Sequence, residues 1–549
     1  MHEVKVHFRD EYLWNKSGTT YTRGSAFLDE ELISGAVLSQ LFSQEHAFDG
    51  FLSLLRRLNG FFAIVHQVDG SLFLAVDHLR SCPLFYGSGM NGVYVSDDPY
   101  WIRNETGDWS VDELSAAELL LAGFVTGSDT LSPNVKQVQP GEALTIQYTT
   151  GKMQVTPVRY YEFIHSDFYV DSSDQLEARL DASLKASFNR LVRWARGRTI
   201  VVPLSGGCDS RLVVLMLKRL GYKDVVAFSY GRPGNDESKI SKQVASATGV
   251  RWEFVPYSNA AWRKWHDSEE WKRYSQMADG LASVPHLQDW PAVFELRKQE
   301  LIPQDAVFVP GNLAYSSMVF NIQPVRYPLV CSKTRVVKQK EILGSIHRAF
   351  YPMRDWARQS VDLKRQVDEK ILRLLGSRPS YTPEEANSAY SWWWWQGFES
   401  RFVTNAVRVY EFWGYEWWLP LWDLEIARFW SRVPMIHRLG KRLQRSHLQK
   451  LELGTVQHNT RQCGTSSGWF SSGLVRKTRL YNRVRRLHGL TQYDQHPLAW
   501  YAIIPRQSFN SLYNGPEVIN SYLAIEMFQR IFPTCKQLEV VGDINSSRP

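Results

Sequence analysis

The chain has 549 residues, enough for about two to four domains with large cores. Apolar residues make up 44% and charged residues 22%, which is ordinary for a globular protein. The formal net charge of +8 comes from Lys and Arg spread along the chain, so we interpret it as a solvated surface with a weaker attraction for anions, and a nucleic-acid partner is not expected.

The cysteines and the N-terminal residues indicate the cellular compartment of the protein. The five cysteines lie far apart and form no CxxC pair, so the sequence has no zinc or dithiol signature. Their odd number fits a reducing environment. The start of the chain carries charges where a signal peptide needs an apolar run, and no window of about 18 residues is apolar enough to span a membrane. We therefore expect a cytoplasmic protein with no membrane partner.

The first 160 or so residues have the pattern of an α+β domain with an antiparallel sheet. Short apolar segments at 61–65, 72–76 and 92–96 are separated by polar turns, as in β-hairpins. Helices are predicted between such segments, around 29–42 and 110–122.

A segment of different composition, 156–171, is predicted to be a linker. It divides the chain into one domain at 1–160 and a second at 161–549. The second domain begins with a helix, because Ser172 and Gln175 form a capping box. An apolar stripe follows on one helix face: Leu176, Leu180, Leu184, Phe188 and Leu191.

From residue 199 onward, strands and helices alternate with short links, which predicts a doubly wound parallel sheet. The predicted strands are 199–204, 224–228 and 252–255, and the predicted helices are 209–220 and 236–248, each followed by glycine. Beyond Tyr257 the pattern is largely helical. The run Trp392–Trp395 favours packing between domains over a pocket lining.

The turn after the first of these strands reads Ser205-Gly206-Gly207-Cys208-Asp209-Ser210. Its two glycines permit a close approach by a ligand and a positive φ. The N–H groups at the start of the following helix point at a bound phosphate, and the two serines add hydroxyl donors. Bare phosphate would repel the Asp209 carboxylate, which therefore predicts Mg²⁺ as its partner. The alternative is an ordinary glycine-rich turn.

This loop resembles the SGGxDS pyrophosphate loop of the ATP pyrophosphatase class. The resemblance implies binding of ATP with Mg²⁺ and release of pyrophosphate, leaving an adenylated substrate. It implies ATP contacts by the loop and by the tip of the second strand: Leu204, Ser205, Gly206, Gly207, Asp209, Ser210 and Ser229. Asp236, at the start of the next helix, is either part of this site or the helix cap.

Two late segments resemble the asparagine synthetase family. Glu416, Pro420, Asp423 and Pro434 match its C-terminal block in identity and spacing, although Trp418 stands where the family has Arg.

The segment Lys441-Arg442-Leu443-Gln444-Arg445 is similar to that family's K-x-L-L-R signature. The resemblance implies that Lys441 stabilises charge on the acyl-adenylate and on its tetrahedral intermediate, a task that needs a fixed cation. The alternative is a lysine on the surface of a helix.

The first domain resembles class II glutamine amidotransferases. Residues 58–65 are similar to their LxGxFAxV hairpin and residues 77–86 to their DRxGxxPLYY segment, which implies an Ntn-hydrolase-like fold. The family's nucleophile is a cysteine at position 2, and this chain has His2. Cys82 cannot replace it, because it lies within the chain and has no free α-amine. We expect no glutaminase activity.

A second departure lies at 306–315, in place of the family's strand and SGEGSDE loop. Gly311 is kept and is expected near the nucleotide, but the family Glu is Asn312 and the family Asp is Tyr315. An amide cannot take up a proton at neutral pH. Another base therefore serves, or the substrate differs from aspartate, or the site is weak.

The sequence thus predicts an amide ligase that forms AMP and pyrophosphate and adenylates a small carboxylate for attack by ammonia or an amine. A degenerate binding or regulatory member of the family and an RNA-modifying ATP pyrophosphatase remain alternatives. The sequence does not determine the oligomeric state, and a homodimer is one possibility.

Overall fold

The computed structural model describes residues 3–68, 70–90, 92–149, 152–312, 336–452, 493–512 and 518–533. The front part of the chain, up to Arg159, contains eleven described strands and four described helices. The strands are β1 (Glu3–His7), β2 (Asn15–Ser17), β3 (Thr20–Leu28), β4 (Glu31–Ser34), β5 (Leu58–Val68), β6 (Ser71–Val76), β7 (Phe85–Gly89), β8 (Gly92–Ser96), β9 (Val135–Gln137), β10 (Glu142–Thr149) and β11 (Lys152–Arg159). The helices are α1 (Ala36–Ser43), α2 (Phe48–Arg57), α3 (Pro99–Thr106) and α4 (Glu113–Ala122).

These strands form two sheets that pack on each other. One has the order β1-β8-β7-β9, and the other runs β11-β10-β6-β5-β3-β2 with β4 paired to β3. All pairings are antiparallel except that of β1 with β8. Alternate residues of β5, β6, β7 and β8 fill the space between the sheets. The predicted antiparallel architecture of this part is confirmed.

The predicted helix at 29–42 is wrong in its first half. Asp29 and Glu30 have φ of 47° and 67° and make a two-residue turn between β3 and β4, with Leu28 paired to Glu31. A hairpin turn of this kind needs positive φ at both central residues. The helix itself begins only at Ala36. The predicted linker was also too long, because its first residues belong to β11.

The second part begins with a helix and continues as a parallel sheet with helical crossovers. Its elements up to Phe308 are α5 (Ser173–Ala195), β12 (Ile200–Pro203), α6 (Cys208–Arg219), β13 (Val225–Gly231), α7 (Asp236–Thr248), β14 (Arg251–Pro256), α8 (Asn259–His266), α9 (Glu269–Asp279), α10 (Trp290–Lys298) and β15 (Val307–Phe308). The capping box on α5 is confirmed, and Gly249 ends α7 in the left-handed conformation with φ 72°.

The later elements are mainly helical. They are β16 (Val337–Lys338), α11 (Gln339–Phe350), α12 (Val361–Leu375), β17 (Ser380–Tyr381), α13 (Pro383–Trp393), a π-helix (Trp394–Val403), α14 (Arg408–Phe412), β18 (Glu416–Trp417), α15 (Leu424–Arg432), α16 (Met435–Arg438), α17 (Arg442–Glu452), α18 (Arg506–Leu512) and α19 (Val518–Ile531). Short 3-10 turns connect several of them.

The parallel sheet has the order β14-β13-β12-β15-β18. The chain therefore moves outward from β12 through β13 to β14 and then returns to the other side of β12. The order reverses between β12 and β15, and ligands of such sheets bind outside the carboxyl ends of the strands at that point. The sequence-predicted phosphate loop follows β12, and Gly311 follows β15.

Polar contacts join the front sheets to the second part of the chain. The Asn59 side chain donates to Asp423 at 3.0 Å, and Asp423 also accepts two hydrogen bonds from Arg190, at 2.7 and 2.8 Å. His78 lies 2.6 Å from the backbone oxygen of Trp422. Asp423, one of the residues that match the asparagine synthetase pattern, therefore holds two parts of the molecule together.

The tryptophan run is buried at this junction. Trp393 and Trp395 are fully buried, and the indole of Trp395 donates to the backbone oxygen of His78 at 2.8 Å. Its interpretation as packing is confirmed. None of the described helices is long and apolar enough to cross a membrane.

Removing residues 1–160 is expected to give insoluble or unstable protein. The deletion would expose Trp395, Trp418 and Trp422, which are 0–2% exposed in the whole chain, and contiguous apolar surface of that kind promotes aggregation. Soluble yield and the melting curve should be compared with those of the full chain. A monodisperse 161–549 fragment that melts cooperatively would contradict this prediction.

Candidate active site

The loop Ser205–Ser210 lies at the carboxyl end of β12, where the strand order reverses. The Ser210 hydroxyl accepts from the Ser205 backbone N–H at 3.1 Å and lies 3.1 Å from the Ser205 hydroxyl. The Gly207 N–H donates to the Ser205 hydroxyl at 3.2 Å. The two serines therefore fix the shape of the loop.

The expectation of positive φ at Gly206 and Gly207 is wrong. Gly207 is the residue before α6 and is extended, with φ −79° and ψ 169°, and Gly206 is also outside the left-handed region. Gly206 instead leaves room for α7, because a Cβ on Gly206 would lie 3.3 Å from the Ile240 side chain of that helix. A Cβ on Gly207 would lie 3.2 Å from the Ser205 hydroxyl oxygen.

Gly311 lies directly against the start of α6. A Cβ at this position would come within 2.5 Å of the Ser210 backbone nitrogen and 2.8 Å of its Cα. Backbone atoms cannot move aside as a flexible side chain can. The glycine is therefore required for β15 to pass close to the phosphate loop, and this packing explains it before any contact with a nucleotide is invoked.

Replacing Gly311 with Ala is expected to destabilise the protein by about 1–3 kcal/mol, the usual cost of forcing extra volume into a packed site. The displaced loop should also lose its nucleotide affinity. Urea unfolding and nucleotide titration would measure both effects. Gly344→Ala is the matched control, because a Cβ there meets nothing closer than the flexible Arg348 side chain at 3.4 Å. Equal stability of the two variants would refute the steric argument.

Lys441 contacts the phosphate loop from a distant part of the chain. Its ammonium lies 3.1 and 3.3 Å from the two carboxylate oxygens of Asp209, and Gln444 of α17 donates to the same carboxylate. Lys441 has φ 59° and follows Gly440, which also has φ 59°. A lysine in the left-handed region is uncommon and is a form of strain found at functional sites.

Three buried polar atoms at this end of the molecule have no hydrogen-bond partner within the described ranges. They are the Ser229 hydroxyl oxygen, the Asn312 amide nitrogen and the Gln444 amide oxygen. Ser229 lies near the tip of β13, directly after Phe228, whose backbone oxygen accepts from the Leu204 N–H at 2.8 Å. Unsatisfied buried groups in a native fold call for a partner such as water or a ligand.

The structure gives other predicted residues surroundings that differ from the expected ones. The α7 cap is Asn235, whose side chain accepts from the Ser238 N–H at 2.9 Å, so Asp236 is not the cap. Asp236 is exposed and pairs with Lys239 at 3.0 Å. Leu204 is buried, with 1% exposure, so its side chain faces the interior of the sheet. His2 and Tyr315 lie outside the described residues.

Trp418 replaces the arginine of the family pattern with an apolar contact. It is 2% exposed, and its ring lies 4.9 Å from Phe61 and 5.0 Å from Trp194 between ring centroids. Any anion contact that an arginine would make here is absent, and the position serves packing against the front sheet.

A buried carboxylate beneath the tip of β13 was not predicted. Asp289 accepts from the hydroxyl groups of Tyr230 at 2.7 Å and Tyr410 at 3.0 Å, and His286 lies 3.4 Å away. Although burial opposes ionisation, the hydrogen bonds and charge of His286 and the bonds from the tyrosines lower the pKa of Asp289. The cluster fixes Tyr230 next to Ser229, and no local sequence pattern signals it.

Comparisons with known proteins find one family. The family model described as asparagine synthase matches residues 179–268, a segment that begins within α5 and includes the phosphate loop and β13. The chain therefore carries an asparagine synthase-type domain in this segment. No curated protein matches the chain.

Solved structures of remote similarity include a glutamine phosphoribosylpyrophosphate amidotransferase from B. subtilis complexed with ADP and GMP, at 13% identity over 55% of this chain and 64% of that chain, with a TM-score of 0.19. An NH3-dependent NAD synthetase from Campylobacter jejuni in complex with the nitrate ion matches at 11% identity over 38% of this chain and 98% of that chain, with a TM-score of 0.20. The chain thus spans less than two thirds of the first of these proteins. Similarity this low supports no argument about function.

Proposed function

We propose that the chain is an ATP-dependent amide ligase of the asparagine synthetase type, which splits ATP into AMP and pyrophosphate to adenylate a carboxylate. The contact between Lys441 and Asp209 carries the proposal. The two residues stand 232 positions apart, and each belongs to a different motif of the family. Their meeting at the switch point of the parallel sheet supports a common site.

The loop has hydrogen-bond donors that suit the phosphates of ATP. The amino end of α6 presents N–H groups to an anion, and Ser205 and Ser210 supply hydroxyls within the same turn. The Ser229 hydroxyl is buried and unpartnered among the described residues. ATP contacts by Leu204, Gly206, Gly207 and Gly311 remain part of this proposal.

Mg²⁺ fits the site through Asp209. No group of three or more potential metal-ligating side chains occurs in the part of the chain that the structure describes. Mg²⁺ usually binds one or two protein carboxylates together with substrate phosphates and water, so one carboxylate beside the loop is sufficient. When bound, the ion would supply charge neutralisation of the phosphates.

Lys441 would provide a fixed cation beside the reacting groups. Its side chain is 23% exposed, and its ammonium contacts the Asp209 carboxylate. Asp209 would hold the metal ion, and the Lys441 ammonium beside it would stabilise negative charge on the substrate. Pre-positioned charge of this kind is a major source of catalysis.

Asn312 bears on the choice of carboxylate. Its amide nitrogen is buried without a partner among the described residues, so it offers a donor where the family has a proton-accepting Glu. A donor suits an uncharged or anionic oxygen of the substrate. We therefore favour a carboxylate other than aspartate, with ammonia or an amine as the nucleophile.

Carboxylate-dependent exchange between ATP and labelled pyrophosphate tests this function without the amine. Reversible adenylation returns label to ATP only when the correct acid is present. A panel of amino acids, sugar acids and peptide carboxylates should contain at least one that supports exchange. Exchange with none of them, while ATP binds normally, would favour a binding or regulatory role.

The protein is expected to release no glutamate from glutamine. Cys82 is buried, and burial raises the pKa of its thiol to about 11, so the thiolate needed for attack is absent at neutral pH. Glutamate should not exceed that of a boiled control, and Cys82→Ala should change nothing. Glutamate release that survives substitution of His2 would reveal another nucleophile in the front part of the chain.

A further inference from the structure

Four buried arginines line one cavity between the front sheets and the later helices. Arg23 lies on β3, Arg80 follows β6, Arg401 belongs to the π-helix and Arg408 begins α14. Each is 2–7% exposed. The remaining polar lining includes Asp97 and Asp279. A buried charge is costly unless a partner compensates it, so the partners of these four groups decide what the cavity can hold.

Two of the arginines have no carboxylate at ion-pair distance among the described residues. Arg80 donates to the backbone oxygen of Val138 at 3.1 Å, and Arg401 donates to that of Gly127 at 2.6 Å. The Nε and Nη1 atoms of Arg401 are buried without a hydrogen-bond partner in the described ranges. Backbone oxygens satisfy the donors but carry no full negative charge, and the carboxylates that act on these two arginines lie beyond ion-pair distance: Asp77 for Arg80, and Glu142, Glu118 and Asp129 for Arg401.

Both carboxylates of the lining have other hydrogen-bond partners. Asp97 accepts from the Arg9 backbone and from the Trp14 indole, at 3.0 and 2.7 Å. Asp279 accepts from Tyr100 at 2.8 Å and pairs with Arg530.

The third acid, Glu411, is shared by Arg23 and Arg408. Even so, the Nη1 atom of Arg23 has no hydrogen-bond partner in the part of the chain that the structure describes. Among the residues that line the cavity, four guanidinium groups therefore face two carboxylates, Asp97 and Asp279.

Arg80 occupies its position at a backbone cost. Its φ is 55°, a left-handed conformation that suits glycine, and the DRxGxxPLYY pattern that this segment resembles has glycine there. Burial and repulsion by Arg401 and Arg408 also lower the pKa of Arg80 well below its ordinary value. A strained and repelled guanidinium is hard to explain as packing alone.

We propose that this arginine cavity binds a small oxyanion, either inorganic phosphate or sulfate or a carboxylate, held jointly by the front sheets and the later helices. The excess of buried guanidinium groups over carboxylates in the lining requires a ligand with a negative charge. The cavity volume of about 30 Å³ exceeds the ~10–15 Å³ that a single water needs and is far too small for a nucleotide. The site is therefore distinct from the phosphate loop.

The cavity shares two wall residues with a neighbouring cleft. Tyr12 and Arg23 line both the cavity and a cleft of about 620 Å³, whose other walls include Trp194, Trp417 and Trp418. The Arg23 guanidinium lies 3.4 Å from the Tyr12 ring. An anion bound behind these two residues would bridge β3 to α14 and so tie the two parts of the chain together.

Thermal melting of the full chain tests the proposal. Protein dialysed against chloride is compared in chloride, phosphate, sulfate and acetate at constant ionic strength. The bound anion should raise the melting temperature of the wild type by about 2–4 °C or more. The shift should disappear in Arg80→Gly, where glycine suits the backbone, and in Arg401→Gln. It should persist in Arg358→Gln, an arginine with an 86% exposed side chain.

Two further measurements separate this cavity from the phosphate loop and from an anion that remains bound. The double variant Ser205→Ala with Ser210→Ala should keep the rise in melting temperature. If the double variant loses this rise while Arg80→Gly keeps it, the proposal is overturned. Ion chromatography of denatured wild type detects oxyanion that resisted dialysis. The proposal is also overturned if the wild type shows no rise in melting temperature and contains no co-purified oxyanion. A rise in melting temperature with phosphate and sulfate would identify an inorganic oxyanion as the ligand. A rise with acetate would identify a carboxylate.

Discussion

Pyrophosphate release from ATP is expected to fall to background when Asp209 is replaced with Asn, while the fold stays intact. Asp209 is the only carboxylate in the loop, and we propose that it holds Mg²⁺ beside the phosphates. Asn keeps the side-chain shape, and its amide oxygen can still accept from Gln444 at the Oδ1 position, but it removes the negative charge and the second oxygen that accepts from Lys441.

Stability should change little in this variant. The side chains of Asp209 and Lys441 are 29% and 23% exposed, and partly solvated pairs contribute only about 0–1 kcal/mol. Pyrophosphate release and the melting temperature should be measured together.

Asp224→Asn is the matched control for Asp209→Asn. Asp224 accepts from Thr199 at 2.7 Å before the amino end of β13, at the opposite edge of the sheet from the loop. Release should be unchanged in this control. Near-normal release by Asp209→Asn would remove the ATP pyrophosphatase interpretation.

Product formation is expected to fall by about 10²–10³ when Lys441 is replaced with Ala, the scale of losing one oxyanion-stabilising group. ATP affinity should change far less, because the loop donors remain. Single-turnover product formation and nucleotide titration would separate the two effects. Lys441→Arg keeps the charge and should recover part of the rate.

Lys450→Ala is the control for Lys441→Ala. Lys450 lies on α17, its side chain is 63% exposed, and it pairs with Glu177 at 2.8 Å away from the loop. A wild-type rate in Lys441→Ala would show that the resemblance at the C-terminal signature is misplaced. Equal losses in both variants would indicate a general effect on the helix.

The parallel sheet was predictable because its signals are local. Short apolar strands, glycine after α7 and the capping box of α5 each act within a few residues, so β12, β13, β14 and the helices between them were located closely. The phosphate loop followed from its place after β12. The helix prediction failed at Asp29, because the apolar pattern there resembles that of a helix. Only the positive φ values reveal the turn.

The contacts that assemble the site are long-range and lack a local pattern. The family resemblance implied a role for Lys441 at the reaction centre, but its contact with Asp209 was not predicted, since no periodicity relates the two positions. The steric need for Gly311 depends on how close β15 comes to α6, and the four buried arginines belong to separate elements. Asp289 joins its tyrosines through side-chain bonds that a sequence does not display.

The nucleotide products of the wild-type protein distinguish the proposed ligase from its alternatives. ATP, Mg²⁺ and ammonium chloride are incubated with the protein and each acid of the carboxylate panel, and the products are separated by chromatography. An adenylating ligase should give AMP and pyrophosphate in equal amounts, formed only with an accepted acid and lost in Asp209→Asn. Formation of ADP and inorganic phosphate instead, or equal AMP release by the wild type and Asp209→Asn, would contradict the proposed function.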